Sequence, residues 1–599
     1  MLFSIGLLIV IVFLAYKAAP VEREEDAHVH GAGQIGLLAA VALFGVDYFT
    51  SYFYATGEML HALHPYGLEH YGYITAGVIA VANITFGLLY MYSLGIFNEG
   101  GGSYTASMRY LSPGLSLVVA VVLIQDYVLT IVVSSLSGGD QMLSILGLYG
   151  KYWWLHFLIG ALLASITYWL TIRGRGESAS VVFILLGVFL LLTIVMFGGL
   201  FFAQAKGVAA VASTEAPQHV ASIWEALYHM LTASMKGMVA LSGLEAMSNG
   251  IQFVKNEDFG LVKWGKKHLS QLSGLWEYYS GKSGIGRMVQ TSFLFYGGVT
   301  TYLLTAFAIR FNVYDGTQSM TLVGNLAKIG FEQLGGNITI PLPGGISASG
   351  PLLFWVYQLL AVFLLAAASM TAMQDLQATE WRDVAIGELP EILVYRNPTG
   401  TFTRSVTAGF ILSIIIMFAA HGSTGNAVPY YGVGVFMPIA VMGFAIRKHI
   451  SETSTGSKRK WGMGMATFAA VLSALVFVGQ IVGKWTEGGW VVLITFSVLI
   501  LIANAILLSP GGARDPQSIQ RIVRDKARIS GAMASIVEWQ SLRMQEYRHT
   551  VLGRIEDGIV WFGGLFGIYN KFSFDLPEVI PAGDYNHALH VDHPEAPSL

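Results

Sequence analysis

Cysteine is absent from all 599 residues. The chain therefore has no disulfide framework, no thiol nucleophile and no thiolate metal site, and its composition carries no sign of its compartment's redox state. Charge is scarce as well: Asp, Glu, Lys and Arg together make up 12% of the residues, about half of the roughly 25% usual in a soluble protein. A net charge of −3 supplies no basic footprint for nucleic acid. So little charge also excludes a soluble multidomain enzyme and a disordered scaffold. Proline is sparse, 17 residues against 69 glycines, a balance that suits helices packed closely in lipid, where small residues let backbones approach. What is abundant is apolar surface, with 54% hydrophobic residues. The composition is that of an integral membrane protein.

A helix needs about 20 mainly apolar residues to cross a bilayer. Twelve such runs occur, at 33–56, 72–97, 106–137, 153–172, 180–204, 222–253, 289–311, 351–374, 401–420, 427–446, 461–483 and 489–508. A shorter apolar run at 2–16 precedes them. It lacks a basic leader and a cleavage site, so it reads as a retained helix. The expected organisation is an N-terminal helix and cytosolic linker over 1–32, a twelve-helix core over 33–508, and a short cytosolic tail over 509–599 with an amphipathic helix near its start. The connections leading from even to odd spans carry 17 Lys and Arg, and those leading from odd to even spans carry 5. Basic loops stay in the cytoplasm, so the core's N-terminus and the C-terminal tail are expected inside, in a multi-pass cytoplasmic (inner) membrane protein.

Ionisable groups inside apolar spans are costly and mark pathways or cavities. Asp47 lies in the first span, Asp126 in the third, and Lys236 and Glu245 share the sixth. The first and sixth spans each carry a mid-span carboxylate beside glycine and hydroxyl residues that weaken the helix. They are five spans apart, the separation expected of inverted repeats over about 33–204 and 222–446. The predicted fold is thus an all-α polytopic bundle, a 5+5 inverted-repeat transporter with two further core helices. Carboxylates, hydroxyls and main-chain carbonyls gather at the breaks, a hard-oxygen set that suits an alkali cation or a proton and not a transition metal. Three carboxylates sharing one site cannot all stay ionised without a compensating cation.

The string Leu123-Ile-Gln-Asp-Tyr-Val-Leu-Thr-Ile-Val-Val-Ser134 resembles the third-helix signature of the KimA-type potassium–proton symporters. These belong to the KUP potassium-uptake group within the amino acid–polyamine–organocation superfamily. Residues 47–58, 98–104, 242–250, 429–436 and 484–490 resemble further signatures, in order, so the resemblance runs from about 33 to 508. It implies potassium ligands at Asp47 and Tyr54, at Asp126, Tyr127, Thr130 and Ser134, at Ser242 and Glu245, and at Tyr431. Ser242 stands where the family usually has threonine. Asp126 and Thr130, four residues apart, share one helical face, while Tyr127 projects about 100° away and serves a neighbouring position or only packs. Tyr54 is roughly two turns from Asp47, so an unwound stretch between them would bring both to one site. Glu245, Asp47 and Asp126 are the candidates for proton coupling.

Lys236 departs from the family, which usually shows a small polar residue there. It either snorkels to the outer interface, pairs with an acid as part of a gate, or acts as a fixed cation close to the site. The long basic connection over 254–290, the short tail and the extra leading helix depart too. The function expected from these residues is potassium import coupled to protons. The alternative is a proton-coupled amino-acid permease on the same fold, against which Asp47 argues, since its charge repels a carboxylate. No nucleophile–base grouping or helical metal motif appears in the connections, so no enzyme and no cofactor is expected. The partners expected are potassium, protons, the bilayer and a second copy of the chain. Glycines 100, 101 and 102 read as a tight turn feeding a gate, the stripe of Tyr48, Tyr52 and Phe53 as packing, and the histidines at 587, 590 and 593 as a solvated terminus.

Overall fold

The computed structural model describes residues 35–501 apart from 99, 112, 175–178, 212–217, 219, 221, 342–346, 386–396, 398–400, 484, 486–493 and 495–496, together with 554 and 558. The expected leading helix, the tail and the histidine cluster lie outside the described residues. So do the 484–490 motif and the twelfth span, except for Trp485, Ile494 and 497–501.

Among the described residues nine helices are long and apolar enough to cross a membrane. They are the first span Leu37–Tyr66, the second Glu69–Ser93, the fourth Trp153–Ile172, the eighth Leu352–Gln377 and the tenth Thr424–Thr453, with the third Pro113–Ile145, the fifth Ala179–Ala205, the seventh Gly281–Phe311 and the eleventh Gly456–Gly483. The ninth, Thr403–Ala419, is a shorter apolar helix. The sixth is broken into the α-helix Ile223–Gly237, a 3-10 stretch Met238–Leu244 and the short helix Ala246–Gly250. The chain is a multi-pass helical membrane protein.

The first span packs against the sixth, the second against the seventh, the third against the eighth and the fourth against the ninth. Each is the helix five spans further on. Five crossings reverse the direction of a chain, so these partners run antiparallel, as inverted repeats require.

Some boundaries differ from the hydropathy reading. The first helix runs past residue 56 to Tyr66, and the third to Ile145, carrying Asp140 and Gln141 inside a helix. A separate helix, Gly102–Tyr110, takes up what read as the start of the third span. The seventh begins at Gly281, so Lys282 and Arg287 belong to a helix and not to a loop; the Arg287 guanidinium sits over the Tyr278 ring and donates to the Met91 carbonyl. Between the seventh and eighth spans lie a helix, Leu322–Glu332, and a small antiparallel hairpin, Asn337–Pro341 with Ser347–Pro351. Tyr48 stacks on Phe293 at 4.4 Å and Tyr52 meets Tyr296 edge-on, so the aromatic stripe of the first span is packing against the seventh.

Candidate functional site

In the first span Ser51 joins the α-helices Leu37–Thr50 and Tyr52–Leu63, and His64–Tyr66 ends it as a 3-10 turn. The Thr50 hydroxyl donates to the Val46 carbonyl and the Ser51 hydroxyl to the Asp47 carbonyl, both at 2.8 Å. Such back-bonding perturbs a helix without unwinding it. The expected unwound stretch between Asp47 and Tyr54 is not found: Ser51 keeps a helical backbone, and its N–H donates to the Asp47 carbonyl at 3.0 Å. Seven helical residues return Tyr54 to the face of Asp47, about 10 Å further along. Its hydroxyl points back and donates to Ser51 Oγ at 2.8 Å.

The sixth span breaks more deeply. Seven residues in a row, Met238–Leu244, are wound as a 3-10 helix, longer than the three or four usual for this form. Three residues per turn eclipses side chains at i and i+3, which aligns Ser242 with Glu245 on one face.

Where these breaks meet the third and eighth spans, Asp47, Asp126, Tyr127, Thr130, Ser242 and Glu245 line one cavity of about 20 Å³. That is room for one water-sized occupant. Asp47 Oδ1, Asp126 Oδ1 and Ser242 Oγ are buried there without a protein hydrogen-bond partner. Thr130 Oγ1 donates to the Asp126 carbonyl at 2.9 Å and lies in hydrogen-bond contact with the Tyr431 hydroxyl at 3.0 Å, which brings Tyr431 to the rim. Gly434 on the tenth span lets the backbone come close: a Cβ there would lie 3.3 Å from Asp126 Oδ1. Ser134, a turn beyond Thr130, is buried but does not line the cavity.

Glu245 is held differently from the two aspartates. The Tyr90 hydroxyl of the second span donates to Oε2 at 2.5 Å, and the Ser103 backbone N–H donates to Oε1 at 2.8 Å, joined by the Ser103 hydroxyl. Of these three groups the backbone N–H can only donate, whereas the two hydroxyls can donate or accept. Glycines 100, 101 and 102, at φ 87°, 81° and 46°, form the turn that delivers Ser103. At Gly102 a Cβ would lie 2.6 Å from Glu245 Oε1 and 2.4 Å from Asn249 Oδ1, so only glycine satisfies both the left-handed backbone and the close approach. The Asn249 amide in turn donates to the Tyr127 hydroxyl at 2.5 Å. Tyr127 thus faces the sixth helix, away from the Asp126–Thr130 face, as the 100° projection requires.

Two cavity residues were not legible in the sequence. Asp375 and Thr371 reach the site from the eighth span, which in the hydropathy reading ends at residue 374. Their four-residue spacing on a helix that already carries Ser369 and Gln374 was the available signal. Tyr90 and Ser103 had none, because their roles depend on contacts more than 140 residues away in the chain.

Residues 35–262 match the family model described as amino acid permease. A potassium transporter of Bacillus subtilis (strain 168), KimA, is 24% identical over 484 residues, covering 80% of this chain and 71% of that protein. A solved manganese transporter of Eremococcus coleocola, in complex with an aromatic bis-isothiourea substituted compound, superposes with a TM-score of 0.43 at 12% identity, over 86% of this chain and 99% of that one; no residue role is drawn from it. In sequence the chain is thus similar to a KimA-type potassium transporter and, over 35–262, to the amino acid permease family.

Proposed function

We propose that the protein imports potassium together with protons, by alternating access around the cavity between the first, third, sixth and eighth spans. The observation that carries this reading is the trio of buried, unpartnered oxygens, Asp47 Oδ1, Asp126 Oδ1 and Ser242 Oγ, at one cavity. A buried polar atom with no partner costs about 1–3 kcal/mol, a cost that a cation bound there removes. The donors are all hard oxygens, suited to an alkali ion, and a cavity of about 20 Å³ fits one dehydrated ion and no amino acid. Asp47, Asp126, Glu245 and Asp375 line it together, and such crowding of like charges is relieved by a cation or a proton.

Glu245 is the proton carrier in this scheme. Following the distribution of basic loops, the Gly102 turn faces the cytoplasm. An ionised Glu245 accepts from Ser103 and Tyr90 at once and latches that end shut. A protonated Glu245 donates to the Tyr90 or Ser103 hydroxyl and presents a weaker acceptor to the Ser103 N–H. Proton arrival therefore weakens the latch while the cation neutralises the aspartates. Together they favour opening toward the cytoplasm, and neither does so alone.

The amino-acid alternative keeps support from the family model over 35–262. Competition separates the two. Expression in a bacterial strain lacking potassium uptake should restore growth at low potassium, and labelled rubidium uptake should be blocked by unlabelled potassium but not by a mixture of the twenty amino acids. Amino-acid uptake without potassium rescue would overturn the reading.

A further inference from the structure

At the end of the bundle opposite the Gly102 turn lies a second cavity of about 780 Å³. Three carboxylates on three different elements line it: Glu58 on the first span, Asp140 on the third, and Asp315 in the connection after the seventh. Two of them are fixed in place. Asp140 Oδ2 accepts from the Thr424 hydroxyl at 2.6 Å, and its Oδ1 bonds His156 Nδ1 at 2.6 Å. The Gly150 N–H donates to the other ring nitrogen of His156 at 3.0 Å. That ring is therefore neutral, with its proton on Nδ1, and adds no positive charge. Asp315 Oδ1 accepts the Leu322 N–H at 2.6 Å, and its Oδ2 packs so closely on the backbone at Gly57 that a Cβ there would lie 1.9 Å away. Burial, with repulsion from Glu58 and Asp140 added, pushes the Asp315 carboxyl up to about 7. His61, His421 and the Tyr149 and Tyr430 rings complete the titratable lining.

One further charge lines this cavity, and it is Lys236. The side chain is half-buried and turned into the bundle, not out toward the lipid. It is also remote from the first cavity: nine residues, seven of them in 3-10 geometry, separate it from Glu245 by roughly 17 Å. Carboxylates crowded around one space are relieved by a proton or a cation, and the chain supplies a cation covalently.

We propose that the Lys236 ammonium is a tethered cation that occupies the outer vestibule in place of the transported ion, so that an ion entering from that end competes with it for Glu58, Asp140 and Asp315. The inference rests on the transport reading above for its consequence, which is a raised half-saturating potassium concentration. Removing one unit charge across such a wet cavity changes the local cation concentration about fivefold.

Two measurements test it. Rubidium uptake is titrated in cells expressing wild type, Lys236→Met, which keeps the aliphatic stem, and Lys236→Arg, which keeps the charge. The expected result is a half-saturating concentration about fivefold lower for Lys236→Met at unchanged maximal rate, with Lys236→Arg like wild type. An unchanged or raised value for Lys236→Met, or equal shifts in both variants, overturns the proposal. The second measurement needs no variant and no transport: acylation of Lys236 in the purified full-length wild-type protein by a water-soluble ester, followed by mass spectrometry. Potassium in place of N-methylglucamine at constant ionic strength should at least double the rate, because displaced ammonium reacts faster. A rate indifferent to potassium overturns the tethered cation even if wild type carries no rubidium, whereas absent rubidium uptake with potassium-sensitive acylation overturns only the transport reading.

Discussion

Asp126→Asn should reduce rubidium uptake below detection while leaving the amount of protein in the membrane unchanged. The substitution keeps size and hydrogen-bonding capacity and removes one charge from a cavity of about 20 Å³. A unit charge pair at contact distance is worth about 4 kcal/mol at the effective dielectric of a protein site, roughly a thousandfold in binding. Folding does not depend on that charge, because Asp126 Oδ1 makes no hydrogen bond to the protein. The helix around it is secured by backbone bonds and by Thr130. Asp47→Asn should behave alike, since Asp47 Oδ1 is equally unpartnered. Normal flux in both variants, at normal expression, would remove these two aspartates from the ion site.

Glu245→Gln should cut concentrative uptake about a hundredfold, an effect of some 2.7 kcal/mol, for a different reason. All of the Glu245 oxygen lone pairs in use face donors, Tyr90 on one side and Ser103 on the other. Glutamine keeps a single, neutral acceptor oxygen for these donors, must turn its N–H₂ toward a hydroxyl, and cannot carry a proton. Residual uptake should no longer respond to external pH. Wild-type uptake by Glu245→Gln, with an intact pH response, would exclude Glu245 as proton carrier. Gly102→Ala probes the same latch from the other side, and should impair it with Glu245 intact, because the new Cβ collides with Oε1.

What the sequence reveals and what it hides follow from one distinction. A carboxylate in an apolar run is visible wherever the run is visible, and Asp47, Asp126 and Glu245 were found that way. The five-span interval between the two carboxylate-bearing spans is likewise readable, and the first four spans each pack on the span five further on, as an inverted repeat requires. Asp375 escaped because the same hydropathy criterion ends the eighth span one residue too soon. Hydropathy cannot tell a helix that leaves the bilayer from one that carries an acid into a site. The depth of the two breaks was not readable either. Similar glycine and hydroxyl patterns give one irregular residue at Ser51 and seven at Met238–Leu244. Lys236 shows the complementary gap: its charge was conspicuous in the sequence, but its choice among lipid interface, gate and ion site depended on which way the side chain turned.

The most direct test of coupled transport is rubidium accumulation by purified protein in proteoliposomes, with the membrane potential clamped at zero and the outside made one pH unit more acidic than the lumen. Coupling predicts that internal rubidium rises above the external concentration, that the lumen acidifies in step with rubidium entry, and that both cease when the pH gradient is collapsed. Rubidium that equilibrates without exceeding the external concentration, at a rate indifferent to the pH gradient and with no proton movement, would contradict it.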